Sequence, residues 1–143
     1  MNIKKVHQWE QATVQILNLL GWDLKWTGKN FSHFDASGFT PKGFPCVIEM
    51  KFRKKYYENK LLEKYKYDKL MALDKHIVKL YFVADPHGNY FFWLNELAMD
   101  DLEDVISCPK NTLWNGSKIN KDVYLLPEEL ASKLTIYPKE ERY

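Results

Sequence analysis

Apolar residues recur along this chain with two periods, and each change of period marks a change of element. From residue 3 to residue 20, Val6, Trp9, Thr13, Ile16, Leu17 and Leu20 fall at helical spacing and Gly21 closes the run. The spacing predicts an amphipathic helix. "WDLKW" and "SHFDASGF" read as short strands and "FPCVIEMKFR" as a longer one. "TPKG" between the last two is a turn signal, so that pair is predicted to be a hairpin. "YYENKLLEKYKYDKLMALDK" has the spacing of a second long helix. "VKLYFVAD" and "YFFWLN" flank "PHGN" and predict a second pair of strands. A third helix is expected from Glu96 to Ile106, capped by Asn95. "CPKNTLWNGSKINK" reads as a loop, followed by a strand at "DVYLLP" and a short helix opened by Pro127. This order is that of an α/β domain with a central mixed β-sheet flanked by helices.

Composition narrows the class. The 143 residues suit one domain, and 45% hydrophobic with 15% aromatic residues exclude a disordered chain. No apolar run reaches the length of a membrane span, and the N-terminus does not read as a signal peptide. The expectation is a cytoplasmic protein with no membrane partner. Cys46 and Cys108 fit reduced thiols. The net charge of +2 conceals an asymmetry: residues 51 to 69 hold eight Lys or Arg against three acids, whereas residues 85 to 104 hold six acids and no Lys or Arg. A basic stripe on a nearly neutral domain is a footprint for a polyanion such as nucleic acid. The plainer reading is a solvated helix face, and the residues just upstream decide between them.

In "CVIEMKF" the side chains alternate between two faces. Cys46, Ile48, Met50 and Phe52 share an apolar face, and Val47, Glu49, Lys51 and Arg53 share the other. A hairpin symmetric about Lys42 sets Asp35 directly opposite Glu49. Like charges so opposed destabilise a strand pair, so the two carboxylates require a cation: Lys51, or a hard divalent ion bound by oxygen. Glu58-Asn59-Lys60 repeats the Glu-x-Lys spacing in a polar segment with no apolar strand before it, and carries no signal. Lys66 is unusual. Leu62 and Leu70 lie four residues to either side, which puts a lysine on an apolar helix face, either snorkelling or reaching a phosphate.

At Asp35, the turn, and Glu49-Met50-Lys51 ending an apolar strand before a basic helix, the chain resembles the PD-(D/E)XK nuclease superfamily. That superfamily has a restriction-endonuclease-like core of helix, three-stranded antiparallel sheet, helix and further strand, which corresponds to roughly residues 3 to 93. "VIEMKFRK" is similar in particular to the Glu-x-Lys strand of Holliday-junction resolvases, while Phe34 stands where the superfamily name has Pro. The resemblance implies a metal-dependent endonuclease acting on DNA, with junction or branched DNA as the structure-selective case and a phage or prophage setting. It implies that Asp35 and Glu49, helped by the Met50 carbonyl, hold Mg2+ (with Mn2+ able to substitute). Lys51 would orient or activate the attacking water, and Glu10 on the first helix would add a further acid. Arg53, Lys54, Lys55, Lys60, Lys64 and Lys66 would follow the phosphate backbone. A homodimer would associate through the exposed sheet edge and the "YFFWLNEL" region.

Other classes carry less. Cys46, Cys108, His33, His76 and His87 lack the paired spacing of a zinc site, and no Ser or Cys lies in a nucleophile signature. The serious rival is a non-catalytic nucleic-acid-binding or interaction module on the same fold, with "KLYFV" and "YFFWL" as stacking faces.

Overall fold

The structure, a computed structural model, describes residues 2–29, 34–109 and 118–134. Helix α1 (Ile3–Leu19) buries Glu10, Thr13, Val14 and Leu17 along one face. Asn2 caps it, its side chain accepting the Lys5 N–H at 2.9 Å. Gly21 ends it at a φ of 103°, a left-handed value that glycine takes without strain. Strands β1 (Asp23–Trp26), β2 (Ala36–Phe39) and β3 (Pro45–Phe52) follow as an antiparallel meander. β2 pairs Ala36 with Ile48 and Gly38 with Cys46, the register symmetric about Lys42 that the turn predicts. Ser32 and His33, the start of the expected second strand, lie outside the described residues.

The expected second long helix is partly strand. Asn59–Glu63 form β4, and only Lys64–Met71 form helix α2. Lys60 and Leu62 are buried between the more exposed Asn59, Leu61 and Glu63, a period of two that the helical spacing of Leu62, Lys66 and Leu70 conceals. A distant partner decides the conformation: Leu61 pairs with Leu125 and Leu62 with Tyr124, across the ladder between β4 and a later strand. β5 (Val78–Asp85) runs parallel to β3 and antiparallel to β6 (Gly88–Trp93), the predicted second strand pair.

The expected third helix does not form. Leu94–Glu96 and Met99–Leu102 are short 3-10 turns, and Glu103–Pro109 is strand β7. Asp100, Asp101, Glu103 and Asp104 would crowd like charges at helical spacing, and β7 instead pairs along β8 (Lys118–Pro127). Asn95 caps no helix; its side chain accepts the Lys79 N–H and donates to the Ile77 carbonyl. The predicted loop is shorter than expected, since Cys108–Pro109 and Lys118–Lys121 lie in strands, and residues 110–117 are outside the described set. After Pro127 the chain makes one 3-10 turn (Glu128–Leu130) and then β9 (Ser132–Lys133).

The central mixed sheet has the order β1-β2-β3-β5-β6-β9, and β4-β8-β7 form a second sheet. On one side, Val14 and Leu17 of α1 pack on Cys46, Ile48, Met50 and Phe82. On the other, Val47, Tyr81 and Val83 meet Leu62, Leu70, Tyr124 and Leu126. Both faces of β3 therefore separate as the alternation predicts. Cys46 belongs to the first core, and burial pushes its thiol up to about 11. Tyr90, Phe91, Phe92 and Leu94 are buried and β9 pairs with Tyr90 and Phe91 on the outer edge of β6, so half of "YFFWLNEL" lies in the core, and Asn95 and Glu96 are its exposed residues. For the same reason neither aromatic strand presents a stacking face: Tyr81 and Phe82 are buried too. Among the described residues, no helix is long and apolar enough to cross a membrane.

Candidate active site

Asp35 stands just before β2, where the ladder is ending. Its backbone N–H still donates to the Ile48 carbonyl at 2.9 Å, while its Oδ2 accepts the Met50 N–H at 2.8 Å. That second bond holds the carboxyl against β3, beside the stretch that carries Glu49 and Lys51. Glu49 is only 8% exposed. Its neighbour on β5 is Tyr81, and that of Lys51 is Val83, so the two charges rest on an apolar floor. From α2, Lys66 brings its Nζ to 3.4 Å from Glu49 Oε1. The lysine on the apolar helix face is thus aimed at a buried carboxylate.

Burial dominates the electrostatics. It pushes Glu49 up to about 8, the Asp35 charge adds to the rise, and Lys66 and Lys51 oppose it. Asp35 is also raised by burial, against the pull of the Met50 N–H. Lys51 is pushed down to about 7, by burial first and then by the cations Lys66 and Arg53. Glu10, reaching in from α1, is raised to about 7 by burial and then by Asp35. Each of these groups is biased toward its neutral form, as ionisable side chains crowded together where water is scarce are.

Glu10 has its own anchor, which the sequence reading missed. Trp26 Nε1 donates to Glu10 Oε1 at 2.8 Å, and the His7 ring packs edge-on against Trp26 with centroids 5.1 Å apart. Gly28 passes so near that a Cβ there would lie 2.5 Å from Trp26 Nε1 and 2.6 Å from Glu10 Oε1. The available signal was alternation in β1, which puts Trp26 on the same face as the buried Leu24. Among the described residues, no three His, Cys, Asp or Glu side chains converge into a ready-made metal cage. Glu10 therefore flanks the Asp35 and Glu49 pair without closing a triad. Cys46, His76 and His87 form no such group either, and His33 and the Cys108 side chain are outside the described set.

The expected phosphate-contacting set divides. Arg53 continues the face of β3 that carries Lys51, and Lys54 and Lys55 are exposed beyond it. Lys64 is paired with Glu103. Lys60 does not belong to the set: it is 3% exposed, with its Nζ 2.7 Å from Asp85 Oδ2. The formation of β4 turns it inward.

No family model matches this chain, and no curated protein matches it in sequence. Among solved structures its fold is similar to that of Hjc, a Holliday junction resolvase from the archaeal hyperthermophile Archaeoglobus fulgidus. The TM-score is 0.54 at 15% identity, over 88% of this chain and 95% of that chain. The likeness is one of fold: a restriction-endonuclease-like mixed α/β core.

Proposed function

We propose that this protein is a metal-dependent endonuclease that hydrolyses DNA phosphodiester bonds, with branched or junction DNA as its preferred substrate. The observation that carries the reading is the pairing of Asp35 with the buried Glu49 at the end of β3, answered by Lys51 and Lys66. Two adjacent carboxylates in an apolar setting are a costly arrangement that a hard divalent cation would relieve. Asp35, Glu49 and the Met50 carbonyl would hold Mg2+, or Mn2+ in its place, with Glu10 in an outer position. When bound, such an ion supplies polarisation of a phosphoryl oxygen and a water of lowered pKa.

The chain's own residues do the rest. The bond from the Met50 N–H orients Asp35, and Lys66 restrains Glu49. Lys51, on the same face of β3, offsets negative charge that develops on the phosphoryl oxygens and orients the attacking water. Arg53, Lys54 and Lys55 contact phosphates without reading sequence, which gives affinity that falls steeply with salt. The fold of a structural neighbour that is a Holliday junction resolvase supports the choice of substrate class.

The test is incubation with duplex, single-stranded and four-way-junction DNA, with and without magnesium, beside the Glu49→Gln variant. The reading expects cleavage that needs magnesium and is lost in the variant, while DNA binding survives. Undiminished cutting by Glu49→Gln would place the chemistry elsewhere. Binding with no cleavage under magnesium or manganese would favour the non-catalytic module.

A further inference from the structure

Beyond Lys51 the face of β3 continues to Arg53, where the surface opens into a cavity of about 230 Å³ between the two sheets. Tyr81 and Val83 form its floor; they are the β5 neighbours of Glu49 and Lys51. Leu61 and Leu125, opposed across the β4–β8 ladder, form its wall. The Tyr81 hydroxyl donates to the Leu61 carbonyl at 2.7 Å and ties floor to wall, so the space belongs to the backbone architecture. Lys60 and Asp85 also border it, but they compensate each other at 2.7 Å. Arg53 and Lys55 bring positive charge, and Tyr57, a residue 57% exposed, brings an aromatic ring.

An apolar slot with an exposed aromatic ring and two cations has the chemistry of a nucleotide site. Aromatic rings stack on any base, and cations hold the adjoining backbone. The volume is below the roughly 300–1,000 Å³ of pockets for drug-sized ligands, which suits a single planar ring system. Position adds a further argument. Arg53 lies two residues from Lys51 on the same face, about 7 Å along the strand, so the slot adjoins the carboxylate pair.

We infer that this cavity receives one unpaired nucleobase of the DNA strand whose neighbouring phosphate lies at Glu49 and Lys51. Tyr57 stacks on the base, and Arg53 and Lys55 hold the adjoining phosphate. The inference rests on the nuclease reading for the identity of its ligand, and deepens it. A base in this slot cannot be paired, so among branched substrates the slot selects those with an unpaired nucleotide beside the scissile bond, and a fully paired junction must extrude a base at its branch point. Continuous duplex must first extrude a base, at the cost of unstacking and unpairing.

The experiment measures binding in calcium, with cleavage scored separately in magnesium. The probes are a duplex with one unpaired 2-aminopurine, the same duplex abasic at that position, and a fully paired duplex. The base-bearing probe should bind roughly tenfold tighter than the abasic one, and its fluorescence should fall as the base stacks. Tyr57→Ala should remove that advantage and leave the abasic probe bound as before, and Tyr57→Phe should restore it. Equal binding of base-bearing and abasic probes would overturn the inference, as would a Tyr57→Ala loss shared equally by all three. Base-dependent binding without cleavage would sink the nuclease reading and keep the slot. Cleavage with no base dependence would do the reverse, and failure to bind any DNA would end both.

Discussion

Two clusters of buried charge share this protein, and they are organised in opposite ways. Lys60 lies 2.7 Å from Asp85, with both side chains at most 2% exposed. Glu128 sits 3.4 Å away, and the rings of Tyr56 and Tyr90 surround the ammonium at 4.5 and 4.3 Å. Each charge there meets its opposite. Around Glu49, like charges crowd: Asp35 raises Glu49 and Glu10, and Lys66 lowers Lys51. A cluster selected only to join strands has no reason to keep two carboxylates and two ammonium groups so close. The contrast separates a structural ion pair from the site proposed to receive a charged ligand.

The sharpest way to break the comparison is to remove one partner from each cluster. Lys60→Met leaves Asp85 buried and uncompensated and should cost about 3–5 kcal/mol of stability, read by chemical denaturation. Replacing Asp85 by Leu in the same protein should recover most of that loss. Glu49→Gln should do the opposite, holding or raising stability while cleavage falls by more than roughly 100-fold. Loss of a mere outer-shell partner already costs about 10–100-fold at metal sites, and Glu49 is proposed as a direct ligand. A Glu49→Gln protein that unfolds more readily than Lys60→Met would invert the assignment.

Protonation sharpens the same contrast. Glu49 rises from its ordinary 4.5 to about 8 on folding, so the folded chain binds the extra proton between those values. Stability should therefore fall as pH rises from about 4.5 to about 8, by up to about 1.4 kcal/mol per pH unit for this group. Glu10, raised from 4.5 to about 7, acts in the same direction. Lys51, lowered from 10.5 to about 7, acts in reverse, so stability returns as pH climbs from about 7 towards 10.5. In chelator the protein should be least stable near pH 7–8, and Glu49→Gln should flatten the acid-side slope. Denaturation midpoints measured across pH check this, and a wild-type curve without that slope would remove the crowding argument. The smallest effect concerns the margin of the site. Glu10→Gln should lower cleavage only about tenfold, because Glu10 is held by Trp26 outside the central pair.

Most of the central sheet and its charged face was legible in the sequence. Alternation in "CVIEMKF" separated the two faces of β3, and the turn at "TPKG" set the register that brings Asp35 to Glu49. Such local rules suffice because a hairpin's pairing depends on residues close in the chain. Lys66 was legible as an anomaly, and the structure supplied its target.

What the tertiary structure alone decided lies where partners are far apart in sequence. Asn59–Glu63 are a strand because Val123–Pro127 offer them a ladder, and that pairing turns Lys60 from a surface base into a buried partner of Asp85. Glu103–Pro109 form a strand for the same reason, where a helix was expected from Glu96 to Ile106. The bond from Trp26 to Glu10 and the cavity between the sheets likewise depend on elements that meet only after folding. Local periodicity reports which face of a segment is apolar. It does not report which distant backbone will satisfy that segment's hydrogen bonds, and where the two conflict the ladder prevails.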